Sequence, residues 1–187
     1  MPLAPTVSLV EEARSQGRGL GAFNAITLEH VEAIAAGAEA ASLPAVIQIS
    51  ENAVAFHGGR LAPLARACAE VARASSADLA LHLDHVESES LLVAMDGLEF
   101  GSVMVDASRR AYGDNVASTR AAVQWGHARG LWVESELGEV GGKDGAHAPV
   151  GDDRRPADGV SAVELLSIVD RHSVVSSTSS GSDGSDH

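Results

Sequence analysis

Five short apolar runs, each closing on a polar residue, constrain this chain more than any other feature. They are Leu20–Phe23 ending at Asn24, Ala45–Ile49 ending at Ser50, Leu79–Leu83 ending at Asp84, Ser102–Val105 ending at Asp106, and Leu131–Val133, whose strand ends near Glu136. Their starts lie 23 to 34 residues apart. Runs this short suit strands, and the stretches between them carry helical spacing. Parallel strands joined by right-handed helical crossovers have this rhythm. A doubly wound sheet and a β/α barrel share it, so periodicity alone does not choose between them. The strand ends favour the barrel, because polar groups converging from consecutive strands suit its mouth. The expected fold is therefore α/β, a TIM (β/α)8-type barrel, here incomplete with about five β/α units.

The helices read from their ends. Thr6 is placed to cap a short helix through Arg14, closed by Gly17. Thr27 caps a second, with Leu28, Val31, Ile34, Ala35 and Ala38 on one face, and Pro44 breaks it. Leu61, Leu64, Ala65, Cys68 and Val71 repeat at helical spacing. A helix from Ser88 to about Phe100 is expected, with Gly97 its weak point, and another from a cap at Asp114 or Asn115 through Ala128. Leu137 to Gly159 is glycine-rich and charged, the character of a loop over a site, and Ser161–Glu164 reads as a capping box for a helix through Val169. Ser176 to His187 holds only Ser, Thr, Gly, Asp and His. The domain reading is a partial barrel over 1–170 and a disordered polar tail over 171–187.

Composition bounds the setting. The net charge of −13 argues against a nucleic-acid groove. It does not exclude phosphorylated metabolites, since backbone N–H groups and a metal bind phosphate locally. Cys68 is the only cysteine, so no internal disulfide forms, and no apolar run approaches the length of a membrane span. The N-terminus lacks the pattern of a signal peptide. A cytoplasmic, soluble protein without membrane or nucleic-acid partners is expected.

The chemistry concentrates at His82–Leu83–Asp84–His85. At a strand's carboxyl end the imidazole of His85 can hold a metal while the Asp84 carboxylate moves a proton. His82, two residues before Asp84, reads as a packed, hydrogen-bonded barrel residue. Glu134 and Glu136 point the same way from one strand, and two such carboxylates need a cation, protons or water. Asp106 reads as a further carboxylate or a turn residue. No later strand end carries a second histidine; His57, His127, His147, His172 and His187 fall in loops, helix ends or the tail and read as solvated. The inner face of such a partial barrel is expected to be apolar, through Ile47, Ile49 and Val105, and to drive self-association.

Several segments together resemble a known family. Leu81–His85, Ser102–Ser108 and Val133–Gly138 with Gly141–Gly142 stand in the order and spacing of the class II, zinc-dependent ketose-bisphosphate aldolases, the fructose and tagatose 1,6-bisphosphate enzymes. Gly21–Asn24 and Gln48–Ser50 match as well, and the resemblance runs from about Val7 to Pro149. It implies reversible cleavage of the ketose bisphosphate to dihydroxyacetone phosphate and glyceraldehyde 3-phosphate. It further implies Asp84 as the acid/base at the C4 hydroxyl, His85 as a ligand of the catalytic Zn2+, and Asp106 and Glu136 as carboxylates of an alternative metal position. Asn24 and Ser50 are implied as substrate contacts, and a second divalent or monovalent cation and a homo-oligomer are also implied.

Two departures accompany the resemblance. The glutamate that the family places after its Gly-Gly pair is absent, and Asp144, one methylene shorter, is the nearest stand-in for proton exchange. The family's last three strands, two further zinc-ligand histidines and phosphate-binding loops have no counterpart here, so a carboxyl-terminally truncated member is expected. A noncatalytic barrel fragment lacking the remaining ligands is the alternative.

Overall fold

The structure, a computed structural model, describes residues 3–136. Five parallel strands lie in sequential order: β1 (Gly21–Asn24), β2 (Ala45–Ser50), β3 (Leu79–Val86), β4 (Ser102–Val105) and β5 (Trp132–Ser135). Helices fill the crossovers: α1 (Thr6–Ser15) before β1, α2 (Leu28–Ala41), α3 (Glu51–Phe56) and α4 (Leu61–Ala74), α5 (Glu89–Ala94), and α6 (Tyr112–His127) before β5. This parallel sheet with sequential strand order is consistent with a partial TIM-type barrel. Among the described residues no helix is long and apolar enough to cross a membrane.

Strand parity sorts the side chains. Ala45, Ile47 and Ile49 of β2, Leu79, Leu81 and Leu83 of β3, and Val103 and Val105 of β4 join one core with α2, α4, α5 and α6. Ile47, Ile49, Leu81, Leu83 and Val103 are wholly buried. Burying one such side chain stabilises by about 1.5–3 kcal/mol. The alternate residues Ala22, Val46, Gln48, His82 and Glu134 line the other face, where they border a concavity of about 450 Å³ with residues of α1. This reverses the expectation for Ile47, Ile49 and Val105: they lie under the helices, not on the inner face, and the inner face is partly polar. Parity decides it, because Ile47 and Ile49 alternate with Gln48 and Ser50.

The amino ends of the strands are closed by α1. Ala4 donates its N–H to Leu79 O at 2.9 Å, and Leu9 packs on Val46 and Ala80. Thr6 is the first residue of α1 rather than its cap; its Oγ1 accepts from Ser102 Oγ at 3.0 Å. Other helix ends also differ from expectation. The α5 helix stops at Ala94, well before Phe100, with Gly97 following at φ +75°. The α6 helix starts at Tyr112, ahead of Asp114 and Asn115. The six-residue α3 follows β2 directly; its N-cap is Ser50, whose Oγ accepts from Ala53 N at 3.1 Å. His57 ends α3 and its Nε2 lies 2.6 Å from Ile26 O, so it ties that end to the chain before α2.

Candidate functional site

The carboxyl ends of β3, β4 and β5 bring three of the expected residues together. His85 Nδ1 lies 3.2 Å from Asp106 Oδ2 and 3.9 Å from Glu136 Oε2. One ligand atom from each of the three falls within 4.8 Å of the others. Asp106 and Glu136 are buried and His85 is partly exposed, so the group opens to solvent on the imidazole side. Ser108 fixes the other Asp106 oxygen: its N–H and hydroxyl donate to Oδ1 at 3.1 and 2.6 Å. One imidazole and two carboxylates at this spacing are competent to hold a metal ion.

The backbone of β3 makes this grouping. Leu83 pairs with Val103 and Val86 with Val105, so β3 carries one residue more than β4 over that interval. The extra residue is a β-bulge. Within it His85 adopts φ +50°, a left-handed conformation that non-glycine residues rarely take. Asp84 faces the barrel interior and the His85 imidazole meets the groups from β4 and β5.

Asp84 sits beside this cluster, 9% exposed. Its Oδ1 is 3.6 Å from His82 Nε2. On the far side of that ring, Nδ1 is 2.8 Å from Ser102 Oγ, which continues to Thr6. His82 is therefore the packed, hydrogen-bonded barrel residue expected. Burial alone would push the Asp84 carboxyl up. The hydrogen bond and charge of His82, the charge of His85 and the Gln48 amide outweigh burial and hold it below the ordinary carboxylate value. Asp84 is thus held in the unprotonated form that a proton acceptor needs, although the lowered value makes it a weaker base than an ordinary carboxylate.

The remaining expected residues fall differently. Asn24 ends β1, exposed, opposite Gln48 in the register. Ser50 ends β2 opposite Asp84, and its hydroxyl serves α3. Glu134 and Glu136, expected to point the same way, fall in different groups: Glu136 joins His85, and Glu134 lines the mid-barrel concavity. Asp144, the Gly-rich loop, the 161–169 helix and the tail lie outside the described residues. Asn115, one of the two residues expected to cap α6, lies inside the helix and does other work. It is buried, and its Nδ2 donates to Glu136 O at 3.2 Å. A polar pair, Asn115 and Thr119, on a helix stripe otherwise made of Val116, Ala122, Val123 and Gly126 is the signal that could have marked it.

Comparison with known proteins agrees with the fold. A family model described as "Fructose-bisphosphate aldolase class-II" matches residues 4–176. The fructose-bisphosphate aldolase of Thermus caldophilus is 38% identical over 142 residues, covering 75% of this chain and 45% of its own length. That of Giardia intestinalis is 35% identical over 144 residues, covering 76% of this chain and 44% of its own. The crystal structure of the YdjI aldolase from Escherichia coli K12 superposes with a TM-score of 0.66 at 25% identity, over 73% of this chain and 52% of that one. The chain thus spans about half the length of the relatives it matches. The family match and the shared parallel sheet place it with the barrel-type aldolases, a class of lyases. It belongs to the class II fructose-bisphosphate aldolase family.

Proposed function

We propose that this chain supplies the acid–base and metal-holding part of a class II aldolase site, acting in the reversible cleavage of fructose 1,6-bisphosphate to dihydroxyacetone phosphate and glyceraldehyde 3-phosphate. Tagatose 1,6-bisphosphate is the epimeric substrate of the same chemistry. The observation that carries the reading is the grouping of His85, Asp106 and Glu136 beside the buried Asp84, whose carboxyl is held below the ordinary value.

The donor set fits Zn2+. A tetrahedral ion with bonds of about 2.1 Å spaces its donors roughly 3.4 Å apart. The 3.2 and 3.9 Å separations from His85 Nδ1 lie on either side of that figure. When bound, Zn2+ supplies Lewis-acid polarisation of substrate oxygens and stabilises negative charge left by carbon–carbon cleavage. Asp84 takes the proton of the C4 hydroxyl as the bond breaks and returns it in condensation. His82, anchored through Ser102, holds the Asp84 carboxylate in place. Asn24 and Ser50 contact substrate at the same rim, and Asp144 exchanges the second proton from the Gly-rich loop.

Joining residues 1–136 to the carboxyl-terminal half of the Thermus caldophilus relative gives a direct test. Fructose bisphosphate cleavage with added Zn2+ should fall by about 10²–10⁴-fold in kcat on Asp84→Ala, with a smaller change in KM. An active hybrid indifferent to Asp84→Ala defeats the assignment.

A further inference from the structure

We propose that Asn115 and Thr119 of α6 are positioning residues that set the Glu136 carboxylate for metal binding. The proposal rests on the reading of Glu136 as a ligand. The α6 helix runs antiparallel to β5. Its late residue Gly126 meets Val133 so closely that an added Cβ would fall 2.5 Å from Val133 Cγ2. Its early residue Asn115 therefore lies over the opposite, carboxyl end of β5. There the Asn115 amide donates to the carbonyl of Glu136 at 3.2 Å. Thr119, one turn on, donates its hydroxyl to Asn115 Oδ1 at 3.1 Å.

Three features separate this pair from ordinary helix packing. Asn115 is 2% exposed and Thr119 0%, while the rest of that inward stripe is Val116, Ala122, Val123 and Gly126. An amide buried at such a position costs stability unless its donors and acceptors are met. The Glu136 carbonyl also fixes the amide's orientation, because it can only accept and so takes Nδ2, which leaves Oδ1 to receive the Thr119 hydroxyl. Finally, the sheet register ends at Ser135, which pairs with Val105. Glu136 is one residue past the ladder, where strand pairing no longer sets the direction of its Cα–Cβ bond. A side-chain clamp on its carbonyl does so instead. Partners that orient ligands in this way typically change metal affinity about 10–100-fold when removed.

The test uses the full 187-residue chain and Zn2+ alone, with affinity read by chelator competition and folding by far-UV circular dichroism and thermal midpoint. Asn115→Ala and Thr119→Val should weaken Zn2+ binding, the former by about 10–100-fold. Thr119→Ser, which keeps the hydroxyl, should restore the parent value even if its thermal midpoint drops. Should Asn115→Ala fail to fold, the contrast between Thr119→Val and Thr119→Ser carries the decision. Glu136→Gln is measured alongside. If Glu136→Gln weakens binding while the Asn115 and Thr119 variants keep parent affinity, positioning is wrong and the ligand reading stands. If Glu136→Gln leaves affinity unchanged, the ligand reading fails and takes the positioning role with it.

Discussion

Replacing Glu136 by Gln should change the stability of the protein in opposite directions with and without metal. Glu136 and Asp106 are both buried, with ligand atoms no more than 4.8 Å apart. Two unit charges at that separation repel by about 3.5 kcal/mol at an effective dielectric of about 20. The neighbouring His85 and other contacts offset part of this, so neutralising one carboxylate should stabilise the chelator-treated protein by roughly 1–3 kcal/mol. Glutamine is the same size, so little packing is lost. With metal the sign inverts. A ligand at 100 times its dissociation constant stabilises the folded state by about 2.7 kcal/mol, which in a chain of this size corresponds to about 5–11 °C in thermal midpoint. Glu136→Gln should lose most of that shift. The assay is thermal unfolding of parent and variant in excess chelator and across a Zn2+ titration. A variant that is less stable without metal, yet keeps the parent's full Zn2+ shift, would refute the claim that these carboxylates are held close for a cation.

Two further outcomes follow from the packing. Cys68 is wholly buried and burial pushes its thiol up to about 11 from an ordinary value near 9; the neutral form is favoured by the fold, so its stabilising contribution is full below about pH 9 and is lost as pH rises toward 11. Denaturant midpoints of the parent should therefore fall more steeply from pH 8 to 10.5 than those of Cys68→Ala, and parallel curves would contradict this. Gly101→Ala should destabilise by about 1–3 kcal/mol, because its Cβ would meet Thr6 Oγ1 at 2.6 Å and Thr6 N at 3.0 Å and push α1 from the amino ends of the strands; an unchanged urea midpoint would show that α1 yields freely.

Much of the architecture was legible because strand ends and helix spacing are local. The runs ending at Asn24, Ser50, Asp84 and Asp106 became β1 to β4 in the expected order. Gln48 and Ser50 mark the other parity of β2 as the polar, inward one, which is why Ile47 and Ile49 pack under the helices against expectation. The α3 helix escaped because six residues after a strand carry too little periodicity to register. The shortened α5 reflects Gly97, whose left-handed backbone ends what its neighbours would continue. The polarity of Asn115 on an inward helix stripe marks it as a buried, partnered residue but does not name the partner. Asn115 is the fourth residue of α6, close enough to the helix start to read as a cap, and its real partner is a carbonyl 21 residues away.

The bulge at His85 carries the least local information and the most chemical consequence. Successive residues of a regular strand point to opposite faces, so Asp84 and His85 in an unbroken β3 could not both serve one rim. The extra residue and the left-handed turn at His85 remove that conflict. Such a conformation costs an L-residue about 1–2 kcal/mol that glycine escapes. Inside a normal strand glycine is instead the poorer residue, by roughly 0.5–1 kcal/mol against alanine. The order of two substitutions therefore reports the backbone directly. In chelator-treated protein His85→Gly should be more stable than His85→Ala by about 1 kcal/mol, measured by urea unfolding, while both lose the Zn2+-induced shift. If His85→Ala proves the more stable of the two, the strand does not turn left-handed at residue 85. A regular strand would then send the imidazole to the helix-packed face, away from Asp106 and Glu136, and the shared rim would be lost.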